Sequence, residues 1–144
     1  MSQIYIAGIA MTVFGRHPER SVHDLASEAL RGALEDARGK AADIGVAFYS
    51  GMTNGTLQGQ ISIPGQVVFA RIGIEGIPVY NVENACASGS SAVNLAVQSL
   101  RAGTADVALA IGAEKMNIPD KAKAFAIFEG GWDVSRAEEN YATL

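Results

Sequence analysis

Cys86 is the residue of this sequence best placed for covalent chemistry. It lies in the segment from Val82 to Val93, VENACASGSSAV, where an apolar stretch gives way to small residues and then to helical spacing. A thiol at the start of a helix lies beside backbone N–H groups that have no partner within the helix and carry partial positive charge. Such groups stabilise a thiolate and polarise an acyl oxygen bound nearby, so this position favours a nucleophile.

The alternative for Cys86 is a small buried apolar side chain, since unpaired cysteines are among the most buried residues. It is the only cysteine, so it has no partner for an internal disulfide and no companion thiol for a structural zinc site. We therefore predict a lone thiol and no metal site. A helix end stabilises a nearby charge by only about 0.3–1 kcal/mol, so a base or a cation must complete the activation of the thiol.

Three other side chains are candidates for proton transfer, and we expect none of them to be catalytic. His17 follows the first predicted strand, on the expected site side of the sheet, so a role as base for Cys86 is the alternative to a solvated loop position. His23 lies in the first turn of a predicted helix and is expected to be structural or exposed. Glu114 ends the last predicted strand, where it is a candidate general base.

Strands alternate with helices over most of the sequence. Apolar runs rich in β-branched residues predict the strands, and apolar residues at helical spacing predict the helices. Ser21 with Asp24 is the predicted cap of the first helix, and Gly39 its predicted end. The predicted strands are 3–10, 46–50, 78–82 and 107–112, and two further helices are predicted at 64–71 and 90–101.

This order predicts an α/β fold with a mostly parallel sheet, right-handed crossovers and helices on both faces. Sites in such sheets gather at the carboxyl ends of the strands. The glycine-containing stretch 51–59 lacks the Lys-Ser/Thr ending of a phosphate loop, so we interpret it as turns. Beyond Met116 the chain is rich in charged residues and shows no further strand. We predict one domain at 1–116, followed by the truncated start of a second at 117–144.

Composition excludes several classes of partner. Of the 144 residues, 49% are hydrophobic and 18% charged, and the net charge is −4. Without a run of Lys or Arg, the sequence has no electrostatic footprint for nucleic acid or for an anionic membrane. The N-terminus has no basic region before its apolar patch, and no stretch is long enough to span a bilayer. We expect a soluble cytoplasmic protein, with a peroxisome or mitochondrion as the alternative in a eukaryote.

The segment from Asn84 to Met116 closely resembles the nucleophile region of the thiolase superfamily. A Cys-Ala-Ser-Gly turn opens a helix, and the next strand ends in Gly-Ala-Glu-Lys-Met. The opening is similar to the sterol-carrier and lipid-transfer branch, with Met11-Thr-Val-Phe-Gly-Arg before a helix that begins Ser-Val-His-Asp-Leu. The resemblance covers about residues 3–116, the first part of a family subunit, so the fold it implies is the N-terminal half of a thiolase-like fold.

The resemblance implies a role for several residues. Cys86 corresponds to the nucleophile that accepts an acyl group from coenzyme A as a thioester, with its own backbone N–H in an oxyanion hole. Coenzyme A enters as a substrate thioester, and no bound cofactor is implied. Glu114 is expected to tie loops together by hydrogen bonds, and the strand near Pro78–Val82 to lie at a homodimer interface. Glu83 departs from the small polar residue of many family members, which leaves the substrate class open.

The aromatic residues after Met116 form a separate group. Phe125, Phe128 and Trp132 are interpreted as packing residues rather than as a ligand-binding box. In the resembling family, this region leads into a loop domain that covers coenzyme A.

The implied activity is acyl transfer between coenzyme A and a β-ketoacyl thioester or a carbon acid, by thiolysis or Claisen condensation. The thiol of Cys86 favours this chemistry over the retro-aldol cleavage of some lipid-transfer relatives. The family's later Gly-His-Pro histidine, second histidine and Cys-x-Gly motif are not in this sequence. We therefore expect residues 1–144 alone to be inactive, and a further segment or second chain to supply those groups. The alternatives are a ketosynthase or hydroxymethylglutaryl-CoA synthase relative, and a non-catalytic thiolase-like subunit.

Overall fold

The structure is a computed structural model that describes residues 3–141. Helices and strands alternate along it, as the sequence predicts. The helices are α1 (Val22–Asp36), α2 (Asn54–Gln58), α3 (Pro64–Ala70), α4 (Ser88–Arg101), α5 (Lys121–Ala126) and α6 (Ala137–Tyr141), and the strands are β1 (Val46–Ser50), β2 (Val79–Val82) and β3 (Ala108–Gly112). Short 3₁₀ turns span Ala41–Asp43, Ala85–Ala87, Ile127–Gly131 and Val134–Arg136.

The strands form a parallel sheet in the order β2-β1-β3. In the register of the sheet, Ser50 lies level with Val82 on one side and with Gly112 on the other. The carboxyl ends of all three strands therefore meet at one edge. Parallel neighbours need crossover connections, which the intervening helices supply. The predicted parallel α/β sheet is confirmed.

Side chains of β1 alternate between two buried clusters, one on each face of the sheet. Ala47 and Tyr49 pack with residues of α1 and α3, where the ring of Tyr49 meets Phe69 edge to face at a centroid distance of 6.3 Å. Val46 and Phe48 pack against small side chains of α4 on the opposite face. Alternation along a strand thus buries β1 on both sides. Helices on both faces are confirmed.

Helix α1 begins at its predicted cap. The Asp24 N–H donates to Ser21 Oγ at 3.1 Å, and the Asp24 carboxylate accepts the Ser21 N–H at 2.9 Å. The helix ends at Asp36, and the residue in the left-handed conformation is Arg38, with φ of 52°. The prediction of Gly39 as the end is therefore wrong, because the chain already reverses at the arginine before it.

The prediction of a strand at 3–10 is wrong. Residues 3–13 form no strand, and Tyr5 is 76% exposed. The segment lies on α1, where Gly8 permits close approach, since a Cβ there would be 2.3 Å from the Ala33 carbonyl oxygen. A cavity of about 520 Å³ lies between this segment and β3. The apolar pattern is that of a strand, but the described residues provide no neighbouring strand for the hydrogen bonds of a ladder.

Strand β3 is less covered than its apolar sequence indicates. The residues Ala108–Ile111 are half-buried, and within the described part of the chain β3 pairs only with β1. Residues 117–141 contain short helices and 3₁₀ turns but no strand, as expected. The domain division at Met116 stays a prediction. Between residues 3 and 141, no helix is long and apolar enough to cross a membrane.

Candidate active site

Cys86 lies where the carboxyl ends of the three strands converge. Strand β2 ends at Val82, a 3₁₀ turn covers Ala85–Ala87, and α4 begins at Ser88. The thiol therefore lies on the short connection from strand to helix, as the sequence predicts. Ala87, at the N-cap of α4, makes no side-chain hydrogen bond to the helix end. The N–H groups at the start of the helix bond instead to the preceding turn, since the Ala87 N–H donates to the Asn84 carbonyl at 2.9 Å and the Ser88 N–H to the Ala85 carbonyl.

Cys86 itself is a free, exposed cysteine. The alternative interpretation, a buried small apolar side chain, is wrong. Exposure at a carboxyl edge of a parallel sheet permits contact with a ligand, which a core cysteine could not make. Its role as nucleophile stays a prediction at this point.

A cavity of about 450 Å³ adjoins the thiol. Small residues such as Gly89 leave space beside Cys86, and the side chains of Met52, Met116 and Phe128 line other parts of the cavity. Methionine and phenylalanine present apolar, adaptable surfaces. The cavity therefore suits an uncharged, apolar group that reaches the sulfur.

Three backbone and side-chain hydrogen bonds shape the turn before the thiol. Ala85 has φ of 46°, in the left-handed region that alanine rarely adopts. Its N–H donates to Glu83 Oε1 at 2.6 Å, and its carbonyl accepts the Ser88 hydroxyl at 2.7 Å. Ser88 Oγ in turn accepts the Asn84 N–H at 2.8 Å. The residue immediately before Cys86 is thus bonded on both sides.

Glu114 ties two loops together on the wall of the cavity. Its carboxylate accepts the backbone N–H groups of Met52 and Thr53, the second at 3.2 Å, and also the Thr53 hydroxyl. The hydrogen-bonding role expected for Glu114 is confirmed. A carboxylate that already accepts these bonds holds the loop after β1 against the end of β3.

Two amide side chains that the sequence analysis missed reinforce this tie. Asn54 Nδ2 donates to the Ala113 carbonyl at 3.3 Å, and Gln58 Nε2 donates to the Lys115 carbonyl at 2.8 Å. Both residues lie in α2, directly after the glycine-containing turn that follows β1. The available signal was their position in the first loop at the carboxyl edge, where polar side chains meet the neighbouring strand end.

Tyr49 is a second residue that the sequence analysis did not single out. Burial, with the nearby charge of Glu114 as a smaller cause, raises the pKa of Tyr49 to about 12. Its hydroxyl donates to Asn54 Oδ1 at 3.4 Å. The phenol therefore stays protonated beneath the loop.

The structure does not bring the two histidines to the cavity. His17 Nε2 lies 2.9 Å from the Val13 carbonyl oxygen, and neither histidine is among the residues that line the space beside Cys86. Burial, followed by the charge of Arg71, lowers the pKa of His23 below its ordinary value. The expectation that His23 is structural or exposed agrees with its half-buried position in α1.

The aromatic group after Met116 divides in two. Phe128 lines the cavity and lies 6.4 Å, between ring centroids, from Phe125, which is 69% exposed. Trp132 is not among the residues around the cavity. Phe128 is therefore the member of this group that contributes to the site. Among residues 3–141, no cluster of His, Cys, Asp and Glu side chains has the arrangement of a metal site.

One protein-family model and several known proteins match most of this chain. The family model described as "Thiolase, N-terminal domain" matches residues 4–139. The chain is 38% identical over 117 residues to non-specific lipid-transfer protein-like 2 of Caenorhabditis elegans, which covers 79% of this chain and 27% of that protein. It is 32% identical over 127 residues to an acetyl-CoA acetyltransferase of Methanothermobacter thermautotrophicus, which covers 88% and 33%.

A solved structure has a related fold. The acetyl-CoA acetyltransferase from Syntrophomonas wolfei superposes with a TM-score of 0.62 at 25% identity, over 72% of this chain and 27% of that one. The present chain thus spans between about a quarter and a third of the length of these proteins.

Proposed function

Because a model of the thiolase N-terminal domain matches residues 4–139, the chain belongs to the thiolase family, and we propose that Cys86 accepts an acyl group from a coenzyme A thioester. The observation that carries this proposal is the exposed thiol on a strand-to-helix turn beside an apolar cavity of about 450 Å³. The curated relatives include an acetyl-CoA acetyltransferase, whose name states this class of chemistry.

The proposed step exchanges one thioester for another. The thiol of Cys86 gives up its proton, its sulfur bonds to the acyl carbonyl carbon, and the bond between that carbon and the sulfur of coenzyme A breaks. The proton ends on the departing coenzyme A thiol. The backbone N–H of Cys86, in the turn that precedes α4, would stabilise the negative charge that develops on the carbonyl oxygen. The acyl group then passes to a coenzyme A thiol or to the carbanion of a second substrate.

The base for this step is proposed to come from outside the described residues. Neither histidine lines the cavity, and the carboxylate of Glu114 is already bonded to Met52 and Thr53. The relatives are three to four times as long as the matched region, since the match covers 27% of one and 33% of the other. A further segment or a second chain would supply the base and move the α-proton.

A homodimer through β2 is part of the same proposal. Strand β2 lies at the end of the sheet order, and Tyr80 on it is 53% exposed. An unpaired strand edge is a surface that a second copy can cover. We expect light scattering of the full protein to give twice the mass of one chain, and a monomer at micromolar concentration would contradict this part of the proposal.

The test of acyl transfer is the intact mass of the full protein after brief exposure to acetyl-CoA. We expect an added acetyl mass that alkaline hydroxylamine removes, as for a thioester, and that the Cys86→Ala variant lacks. Residues 1–144 alone should show no turnover in thiolysis of a β-ketoacyl-CoA. An adduct that persists in Cys86→Ala, or normal thiolysis by residues 1–144, would contradict the corresponding part of the proposal.

The second candidate function is a non-catalytic thiolase-like subunit. It is favoured by the lining of the cavity, which contains no histidine within the described residues. This candidate predicts no acyl adduct and a Cys86 that resists iodoacetamide in the complete assembly. A ketosynthase-type enzyme would instead form the adduct from an acyl carrier protein in preference to coenzyme A.

A further inference from the structure

The chain reverses sharply just before the thiol. Between the end of β2 at Val82 and the start of α4 at Ser88, Ala85 takes φ of 46°. In the described part of the chain, Arg38 and Ile63 are the other two non-glycine residues with positive φ. A Cβ atom disfavours this region, so alanine keeps it only where surrounding contacts hold it. Here that strained residue directly precedes the candidate nucleophile.

Two side chains hold Ala85 from opposite sides. The carboxylate of Glu83 accepts the Ala85 N–H at 2.6 Å, and the buried hydroxyl of Ser88 donates to the Ala85 carbonyl at 2.7 Å. The bond to Glu83 has a charged acceptor, which makes it the stronger kind. Glu83 is also exposed, so its replacement leaves no cavity in the core.

We infer that Glu83 is a positioning residue for the thiol of Cys86. Its carboxylate holds Ala85 in the left-handed conformation, and this conformation keeps Cys86 on the wall of the cavity. The inference rests on the proposed acyl transfer, because it concerns the thiol that accepts the acyl group. It gives a function to a residue that departs from the sequence pattern of many thiolases.

A positioning role and a purely electrostatic role of Glu83 predict opposite changes in the rate of acylation when its carboxylate is removed. A carboxylate near a thiol disfavours the thiolate, so removal of its charge alone would speed acylation near neutral pH. Loss of the hydrogen bond to Ala85 would instead let the turn relax and slow acylation. Glycine adopts positive φ without the steric penalty of alanine. Ala85→Gly should therefore restore the turn in a chain that lacks the Glu83 carboxylate.

The experiment measures the single-turnover rate of acetylation by acetyl-CoA in the full protein, by intact mass. We expect Glu83→Ala to slow it about tenfold, equivalent to about 1.4 kcal/mol. Glu83→Gln, whose amide oxygen still accepts the bond, should stay within about threefold of wild type. The double variant Glu83→Ala/Ala85→Gly should recover most of the rate. Glu75→Ala, at another exposed carboxylate, is the matched control and should keep the wild-type rate.

Far-ultraviolet circular dichroism provides a second readout, because it reports folding independently of the reactivity of the thiol. The spectra of the variants should match that of wild type, which would separate a displaced thiol from an unfolded chain. If Glu83→Ala is acetylated at the wild-type rate or faster, or if the double variant does not recover, the positioning role of Glu83 is overturned. Neither result would contradict the proposed acyl transfer. A wild-type protein that takes no acetyl group would overturn this role together with the proposed acyl transfer.

Discussion

Glu114 provides a test of how the wall of the cavity is held. Its carboxylate accepts two backbone N–H groups and the hydroxyl of Thr53, which is itself 1% exposed. Glu114→Ala removes the acceptor and leaves the buried donors of Thr53 without it. We expect the free energy of unfolding to fall by about 1–2 kcal/mol in urea denaturation. Glu19→Ala, at an exposed carboxylate in a loop, is the control, and equal losses in both variants would contradict the argument.

His23 should make stability depend on pH. Burial and the charge of Arg71 lower the pKa of His23 from 6.5, against a smaller opposite effect of Asp24. Below about pH 6.5 the unfolded chain therefore binds a proton at His23 more readily than the folded chain does. The folded state loses stability as pH falls through this range. We expect the urea midpoint of wild type to fall from pH 8 to pH 5.5 by more than that of His23→Gln. Parallel decreases in the two proteins would contradict this assignment.

Asp24 acts in the same direction as His23 but in a lower pH window. The hydrogen bonds from Ser21 lower the pKa of Asp24 from 3.8. Its contribution is therefore present above the unfolded value and is lost as pH falls through the lowered one. The two residues can be separated, because His23 changes stability near pH 6 and Asp24 only in acid.

At the level of elements, the close approach of α3 to the sheet depends on Gly65. A Cβ at this position would lie 2.6 Å from the Cβ of Tyr49 and 2.9 Å from Asn81 Oδ1. Gly65 N–H also donates to that same Asn81 oxygen at 2.7 Å. The first turn of α3 is therefore fixed against both β1 and β2.

We expect Gly65→Ala to destabilise the protein by about 1–3 kcal/mol, because overpacking moves the helix away from the sheet. A loss of stability would be informative, because replacing glycine by alanine within a helix otherwise stabilises a protein by up to about 1 kcal/mol. Gly130→Ala, where nothing lies within 4 Å of the added Cβ, should change the free energy of unfolding by less than about 0.5 kcal/mol. Thermal or urea denaturation distinguishes the two, and a stabilised Gly65→Ala would contradict the close packing.

The elements that the sequence predicted best have local causes. Strand β1 is an apolar run at 46–50, and α1 carries both a capping box and an apolar stripe, so neighbouring residues determine them. The segment 3–10 has the same kind of apolar pattern but forms no strand. Its conformation depends on a partner strand, and pairing between distant segments is not encoded in the pattern of one segment.

In the candidate site too, features with local causes were predictable and features that depend on distant segments were not. The position of Cys86 followed from residue types around a strand-to-helix junction, and the expected loop-tying role of Glu114 is confirmed. The left-handed φ of Ala85 and the bonds from Asn54 and Gln58 to the end of β3 were not predictable. They depend on the distance between chain segments 57 or more residues apart, or on a backbone angle that alanine seldom adopts.

At the scale of the whole molecule, the family was recognisable from a short block of sequence. The resemblance of residues 84–116 to thiolases agrees with the family match over residues 4–139. The Cys-Ala-Ser-Gly block is informative because its small residues leave space beside the thiol in the cavity of about 450 Å³. The chain covers only 27% of one curated relative and 33% of another.

Exposed apolar side chains concentrate at the N-terminal end of the described residues. Ile6 and Phe14 are 83% and 87% exposed, and the cavity of about 520 Å³ separates this segment from the outer edge of β3. The floor of the cavity is apolar, with Leu25 and Leu30 of α1 among its lining residues. We interpret this apolar slot, between residues 3–13 and the outer edge of β3, as a place for one more strand.

Amide hydrogen exchange tests this interpretation of the slot. In residues 3–13 of the described chain, the Ile9 N–H, which donates to Asp36 Oδ2 at 2.8 Å, is the amide with a hydrogen bond. We expect the other amides of this segment to exchange at nearly unprotected rates in residues 1–144, and those of β1 to exchange most slowly. In a longer protein that places a strand in the slot, segment 3–13 and β3 should gain protection together, because one inserted strand bonds to both. Protection of β3 without segment 3–13 would show that the added strand pairs on one side only and that the apolar N-terminal segment has another partner.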